Sequence, residues 1–250
     1  MDRSGAPEER TITPPRQQGE AQSRLRQFEI DGVALNGPSE GFGPLWRKRY
    51  RVRLDGPFVS PETVISTWRA RFGEFWPEGN RFSTPLTRIT PGDLAQIEID
   101  VGGGATLSTG VAVLSASPTS FTLITPEGHI FAGVITFSAF DEGGITVAQS
   151  DVLMRASDPI FEVGMVLFGY RREDRFWEQT LAALARSFGA TATPSMDARC
   201  IDRHFQWRQA KNIRQNALLR SFIKRSTAPA TRIAQRVHRL ARRQPGDPRP

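Results

Sequence analysis

The chain has 250 residues, 33 Lys or Arg against 26 Asp or Glu, a net charge of +7, and one cysteine. One cysteine excludes an intramolecular disulfide framework and a Cys-based zinc site. The opening residues (MDRSGAPEERTITPPRQQGE) hold no apolar signal core, and no run approaches the ~18 apolar residues of a membrane span, so a reducing cytoplasm is the expected compartment.

The charge is unevenly placed. From Arg199 to the end the sequence holds 14 Lys or Arg and two acids, a balance of +12; the remainder holds 19 and 24, a balance of −5. A mildly acidic body therefore carries a strongly basic tail, which bears on partners rather than on fold.

Residues 1–24 are rich in Pro, Gln, Glu and Arg with almost nothing to bury, and read as a disordered N-terminus. A short strand is expected within 25–35, then loop chemistry over Asn36–Pro44. Trp46–Leu54 alternates: Lys48, Tyr50, Val52 and Leu54 face one way, Arg47, Arg49, Arg51 and Arg53 the other, which is the period of a strand. Four arginines on one face suit a polyanion; the plainer reading is a solvated outer face that also protects a sheet edge. Ser60-Pro61-Glu62 then starts a helix, as cap, first-turn proline and dipole-favoured acid. Ile65, Trp68, Phe72 and Phe75 give it an apolar face.

The middle of the chain reads as sheet. Strands are expected at Leu94–Val101, Leu107–Ser115 and Phe121–Thr125, and a hairpin pairs Phe131–Phe140 with Ile145–Met154 across Asp141–Gly144. Short connections argue for an antiparallel meander. Gly102-Gly103-Gly104 is followed by no lysine and sits in no GxGxxG frame, so no phosphate loop and no cofactor is implied. Asp158-Pro159 opens a long helix with Phe161, Met165 and Phe168, then Trp177, Leu181, Leu184 and Phe188, on either side of a polar waist at Arg171–Arg175. The waist and Gly169 mark a kink or division, and Gly189 a C-terminal cap.

Three features within residues 125–188 resemble a bacterial family related to the START-like helix-grip superfamily, also called SRPBCC. They are Pro126-Glu127-Gly128-His129 followed by Gly133 and Phe137, then Ala156-Ser157-Asp158-Pro159, then Trp177 and Leu181 in the helix. The resemblance implies an α+β fold in which a curved antiparallel sheet wraps a long C-terminal helix over residues 25–190. It also implies an apolar cavity between them, lined by Trp68, Phe131, Ile135, Phe137, Met165 and Phe168. Buried aromatic and Met side chains serve equally as ordinary core.

Chemistry-bearing residues are sparse. Glu127-x-His129 offers a carboxylate beside an imidazole, but no nucleophile or orienting third group accompanies it, and two solvated turn residues explain it as well. Asp151 lies among apolar strand residues, either as a polar group of the cavity or facing water. Cys200 has Arg199 and Arg203 beside it, which favour thiolate, but no His–Asn partners at nucleophile spacing. His129, His204 and His238 are too far apart for a metal site.

Beyond a linker at Thr191–Pro194 the basic tail, 191–250, reads as partly helical, over Arg199–Arg225 and again over Ala230–Arg243. In the second segment Arg232, Arg236, Arg239 and Arg243 share one face, suited to an anionic membrane surface or to non-specific contact with nucleic acid phosphates. Three functions follow as expectations: a non-enzymatic holder of a small apolar ligand, an anionic-surface adaptor acting through the tail, and a cyclase- or hydrolase-like enzyme using the same cavity.

Overall fold

We describe a computed structural model of the chain over residues 29–30, 33–83, 89–102 and 105–216. The N-terminal segment 1–24, the arginines at 232, 236, 239 and 243, and His238 lie outside the described residues.

The sheet follows the period-2 signals. Its strands are β1 (Glu29–Ile30), β2 (Val33–Asn36), β3 (Leu45–Arg53), β4 (Arg81–Ser83), β5 (Leu94–Gly102), β6 (Ala105–Ser117), β7 (Ser120–Pro126), β8 (Phe131–Asp141), β9 (Thr146–Ala156) and β10 (Ser195–Asp202). They lie in the order β10-β3-β9-β8-β7-β6-β5-β4, antiparallel throughout, with β2 pairing the end of β7 and β1 pairing β2. The meander predicted from short connections is therefore the body of the sheet, β5 to β9. The hairpin between β8 and β9 keeps one register along its length, Phe131 opposite Ala156 and Asp141 opposite Thr146. One register matters here because a one-residue slip would exchange its buried and solvent-facing sides.

The helices sit on one face of this sheet. Helix α1 (Pro61–Ala70) starts where Ser60 Oγ accepts from the Thr63 amide at 3.3 Å, and a 3₁₀ turn at Phe72–Phe75 extends it. Trp68 and Phe72 pack into the sheet against Phe121 and Phe137, with ring centroids 5.0–6.2 Å apart. Helix α2 (Pro159–Gly164) starts on Asp158, whose Oδ1 accepts from Ile160 at 2.8 Å and Phe161 at 3.0 Å. It runs through a π turn at Met165–Gly169 into α3 (Tyr170–Ser187) with no break. The kink expected at Gly169 is thus a wider turn. A Cβ on Gly169 would collide with the Met165 thioether, so glycine is what lets that side chain fold back over its own helix. Leu181, Leu184 and Ala185 are fully buried under α3, and Gly189 (φ 74°) ends it as predicted.

The C-terminal region departs from the sequence reading. Helix was expected over Arg199–Arg225, but residues 195–202 form β10 and 207–215 a 3₁₀ helix. The competing signal is the open edge of β3: Ser195–Asp202 supplies its missing partners, from Ser195 opposite Arg51 to Asp202 opposite Leu45. The strand is anchored at Arg155 on β9, which is buried and gives Nη2 to Asp202 at 2.5 Å and Nη1 to the carbonyls of Gly43 and His204. Consequently β3 is interior, and its arginines protect no edge. They also form no free anion site: Arg47 and Arg49 share Asp151, Arg51 binds Gln149, and Arg53 binds Glu142.

Candidate functional site

The sheet and the long helix do not close on each other along their whole length. Where α1 contributes Trp68 the groove is filled, and Phe72 of the turn that extends it borders the space beyond. Farther toward α2 nothing of that size enters it, and a cavity of about 840 Å³ remains. Its sheet wall includes Ile97, Ile99, Val111, Leu123, Ile135, Val152 and Met154; its helix wall is Phe161, Met165, Phe176 and Trp177. Phe131 closes one side and Trp76 another. Arg172, Arg175, Glu78 and Asp100 add charge at the rim, with Arg172 3.4 Å from Asp100.

Of the six residues implied as cavity lining, Phe131, Ile135 and Met165 line it. Trp68 and Phe137 do not. They are fully buried in the filled part of the groove, 5.1 Å apart, because an α1 aromatic reaches them there. The backbone of Phe168 lies in the π turn, and its side chain is outside the described residues.

His129 lines the cavity and is only 5 % exposed, so it is not the solvated turn residue the sequence suggested. Its partner in the Glu-x-His motif points elsewhere: Glu127 is exposed and binds Gln215 at 2.8 Å. The Phe131 amide, which can only donate, sits 3.0 Å from Nδ1, and the Phe131 carbonyl lies 3.2 Å from the same atom. The two contacts ask opposite states of Nδ1; on the shorter one we assign an unprotonated Nδ1 and place the ring proton on Nε2. Burial holds the imidazole neutral by pushing its pKa down to about 4.

Asp151 is not a cavity group. It lies on the opposite, outer face of the sheet, between Arg47 and Arg49 at 2.7–3.1 Å. Cys200 is half-buried on β10, opposite Trp46. His204 is exposed and bonds Asp202, and no cluster of metal-ligating side chains occurs among the described residues.

Beside the cavity lies a group that sequence reasoning did not assemble. Lys48, on the inward face of β3, gives Nζ to Glu173 at 2.5 Å and Asp174 at 2.6 Å, beneath the ring of Tyr170. Tyr50 donates to the same carboxylates, at 2.7 Å to Asp174 and 3.2 Å to Glu173. Burial raises the pKa of Glu173 while Lys48 opposes the rise; burial and the two carboxylates raise that of Tyr50. Both signals were legible: a lysine on an otherwise apolar strand face, and two acids in the polar waist of the helix. The pairing was not, since it joins residues 125 positions apart.

Sheet, helix and cavity define a class: the fold is α+β, a helix-grip arrangement in which an antiparallel sheet holds a long C-terminal helix. Among solved structures, the chain is similar to TTHA0849 from Thermus thermophilus, at 17 % identity and TM-score 0.45, over 58 % of this chain and 97 % of that one. It is similar to ginseng major latex-like protein 151 from Panax ginseng, at 10 % identity and TM-score 0.41, over 58 % and 99 %. It is also similar to the di-domain ARO/CYC StfQ from the steffimycin biosynthetic pathway, at 11 % identity and TM-score 0.44, over 58 % of this chain and half of that one. No protein-family model and no curated protein matches the chain. No described helix is long and apolar enough to cross a membrane.

Proposed function

We propose that this protein holds a small apolar ligand between its sheet and its long helix, without transforming it. One observation carries the reading: a cavity of about 840 Å³ whose walls are aliphatic and aromatic, a size and chemistry that suit a drug-sized apolar molecule. Burial of the ligand supplies the affinity, and the few polar groups set its orientation. The enzyme reading is weaker. With Nδ1 engaged by a backbone amide and the proton on Nε2, His129 presents a donor to the cavity and cannot take up a proton there as a general base. Native mass spectrometry of protein purified from its own host tests the reading. A compound released on denaturation is the expected result; an empty protein that also takes up no apolar probe overturns it.

A second reading is favoured by the +12 balance beyond Arg199. In it, the tail binds an anionic surface through Arg232, Arg236, Arg239 and Arg243. Reversing those four charges is expected to abolish salt-sensitive binding to anionic vesicles or DNA; unchanged binding removes this reading.

A further inference from the structure

The cavity has one polar side chain in its wall that is nine-tenths buried and keeps a donor without a partner. His129 is 5 % exposed, yet it lines the cavity. Its Nδ1 is taken by the Phe131 amide, and the turn that presents it is held from behind by Ser157, whose hydroxyl donates to the His129 carbonyl. Nε2 has no protein partner among the described residues. The fully occluded unpartnered polar atoms there are Trp68 Nε1, Trp76 Nε1, Ser150 Oγ and Arg155 Nε, and Nε2 is not one of them. His129 is among the residues that line the cavity, so its ring borders that space.

An apolar wall is a costly place for an unused donor. Filling the cavity with a hydrocarbon would strip Nε2–H of water with nothing in exchange. A ligand carrying an acceptor oxygen at that point recovers the bond, while the aliphatic and aromatic residues around His129 ask for apolar surface. A carboxylate is disfavoured as that acceptor, because a neutral imidazole in an apolar wall offers no charge to offset its desolvation.

We propose that the ligand is an apolar molecule bearing an uncharged acceptor oxygen, a ketone, ester or hydroxyl, and that His129 is the residue that reads this oxygen through Nε2–H. The inference rests on the ligand-holding reading of the same cavity.

The test uses two matched probes, 6-acetyl-2-(dimethylamino)naphthalene and its 6-ethyl analogue, which differ by the carbonyl oxygen. The full-length protein is compared with His129→Asn and His129→Phe. Asparagine can still accept the Phe131 amide through Oδ1 but places no donor where Nε2 was; phenylalanine removes both. The ratio of the two dissociation constants is expected to shift against the acetyl probe by roughly tenfold in each variant. A ratio unchanged in a folded variant overturns the inference and leaves the pocket standing. The wild-type protein gives an answer that needs no variant. The bound acetyl probe should show a carbonyl infrared stretch lowered to a hydrogen-bonded position, and an alkane-like stretch overturns the proposal. Failure of both probes to bind the wild-type protein removes the pocket reading, and this inference with it.

Discussion

The two halves of the long helix meet the same sheet with opposite results. Toward its C-terminal end, Leu181 and Leu184 lie in a core completed by Trp68, Phe72, Phe121 and Phe137. From its start to just past its middle, Phe161, Met165, Phe176 and Trp177 border open space. Hydrophobicity does not separate the halves, since both present aromatic and aliphatic side chains. The difference lies in what comes from the other side of the groove. Helix α1 is ten residues long and fills one end with Trp68, while Phe72 in the turn that extends it reaches only to the edge of the open space. A curved sheet around one long helix needs a second element to fill it, and this chain supplies that element for half the length.

Substitutions break this comparison in a definite order. Removing a partner from the buried charged group should cost most. Lys48→Met leaves Glu173 and Asp174 facing each other without a cation, and roughly 3–5 kcal/mol of stability should be lost in urea unfolding. A cost near zero would mean that water reaches the cluster. In the filled half, Trp68→Ala should cost about 4 kcal/mol, since the ring is fully enclosed. In the hollow half, Met165→Ala should cost about 2 kcal/mol, because one side of that thioether already faces empty volume. Equal costs for the two would contradict the division between filled and hollow halves.

The pH dependence sharpens the same contrast. His129 titrates near 4 in the folded chain and near 6.5 when unfolded, so between those values the unfolded chain binds the extra proton. Stability should therefore fall as pH drops from about 7 to 4, with up to about 3 kcal/mol from this one group. His129→Asn should flatten the profile over that window; an unaltered slope would mean the ring is hydrated. A smaller loss is expected at the sheet edge. Asp202→Asn weakens the anchor of β10 on Arg155 and should lower stability slightly while leaving the cavity intact, read by unfolding and by probe affinity together.

The sequence carried the element order because the signals there were local. Alternation marked the strands, Ser60-Pro61 and Asp158-Pro159 marked the helix starts, and Gly189 marked a helix end. For the same reason, three of the six residues it suggested for the cavity wall lie there. Phe131 and Ile135 fall on the groove side of a strand and Met165 on the groove side of a helix, and period gives the side. Period does not say how far along the groove a side chain lies. Trp68 and Phe137 were therefore indistinguishable from lining residues until α1 was placed. Asp151 shows the reverse limit: it sits opposite Arg49 across the β3–β9 pair, a register that no local pattern states. Strand β10 was missed because its residues are mostly exposed and only half of them apolar, and the driving force is the open edge of β3, some 150 residues earlier.

The most direct test of the hollow half is to fill it. Val152 is 6 % exposed and lines the cavity from the sheet, so Val152→Phe places a ring where the ligand would lie. In a fluorescence titration with 6-acetyl-2-(dimethylamino)naphthalene, the wild-type protein should bind one equivalent, and the folded Val152→Phe variant should bind at least roughly tenfold more weakly. Equal affinity in the two proteins would place the probe outside the cavity and contradict the account.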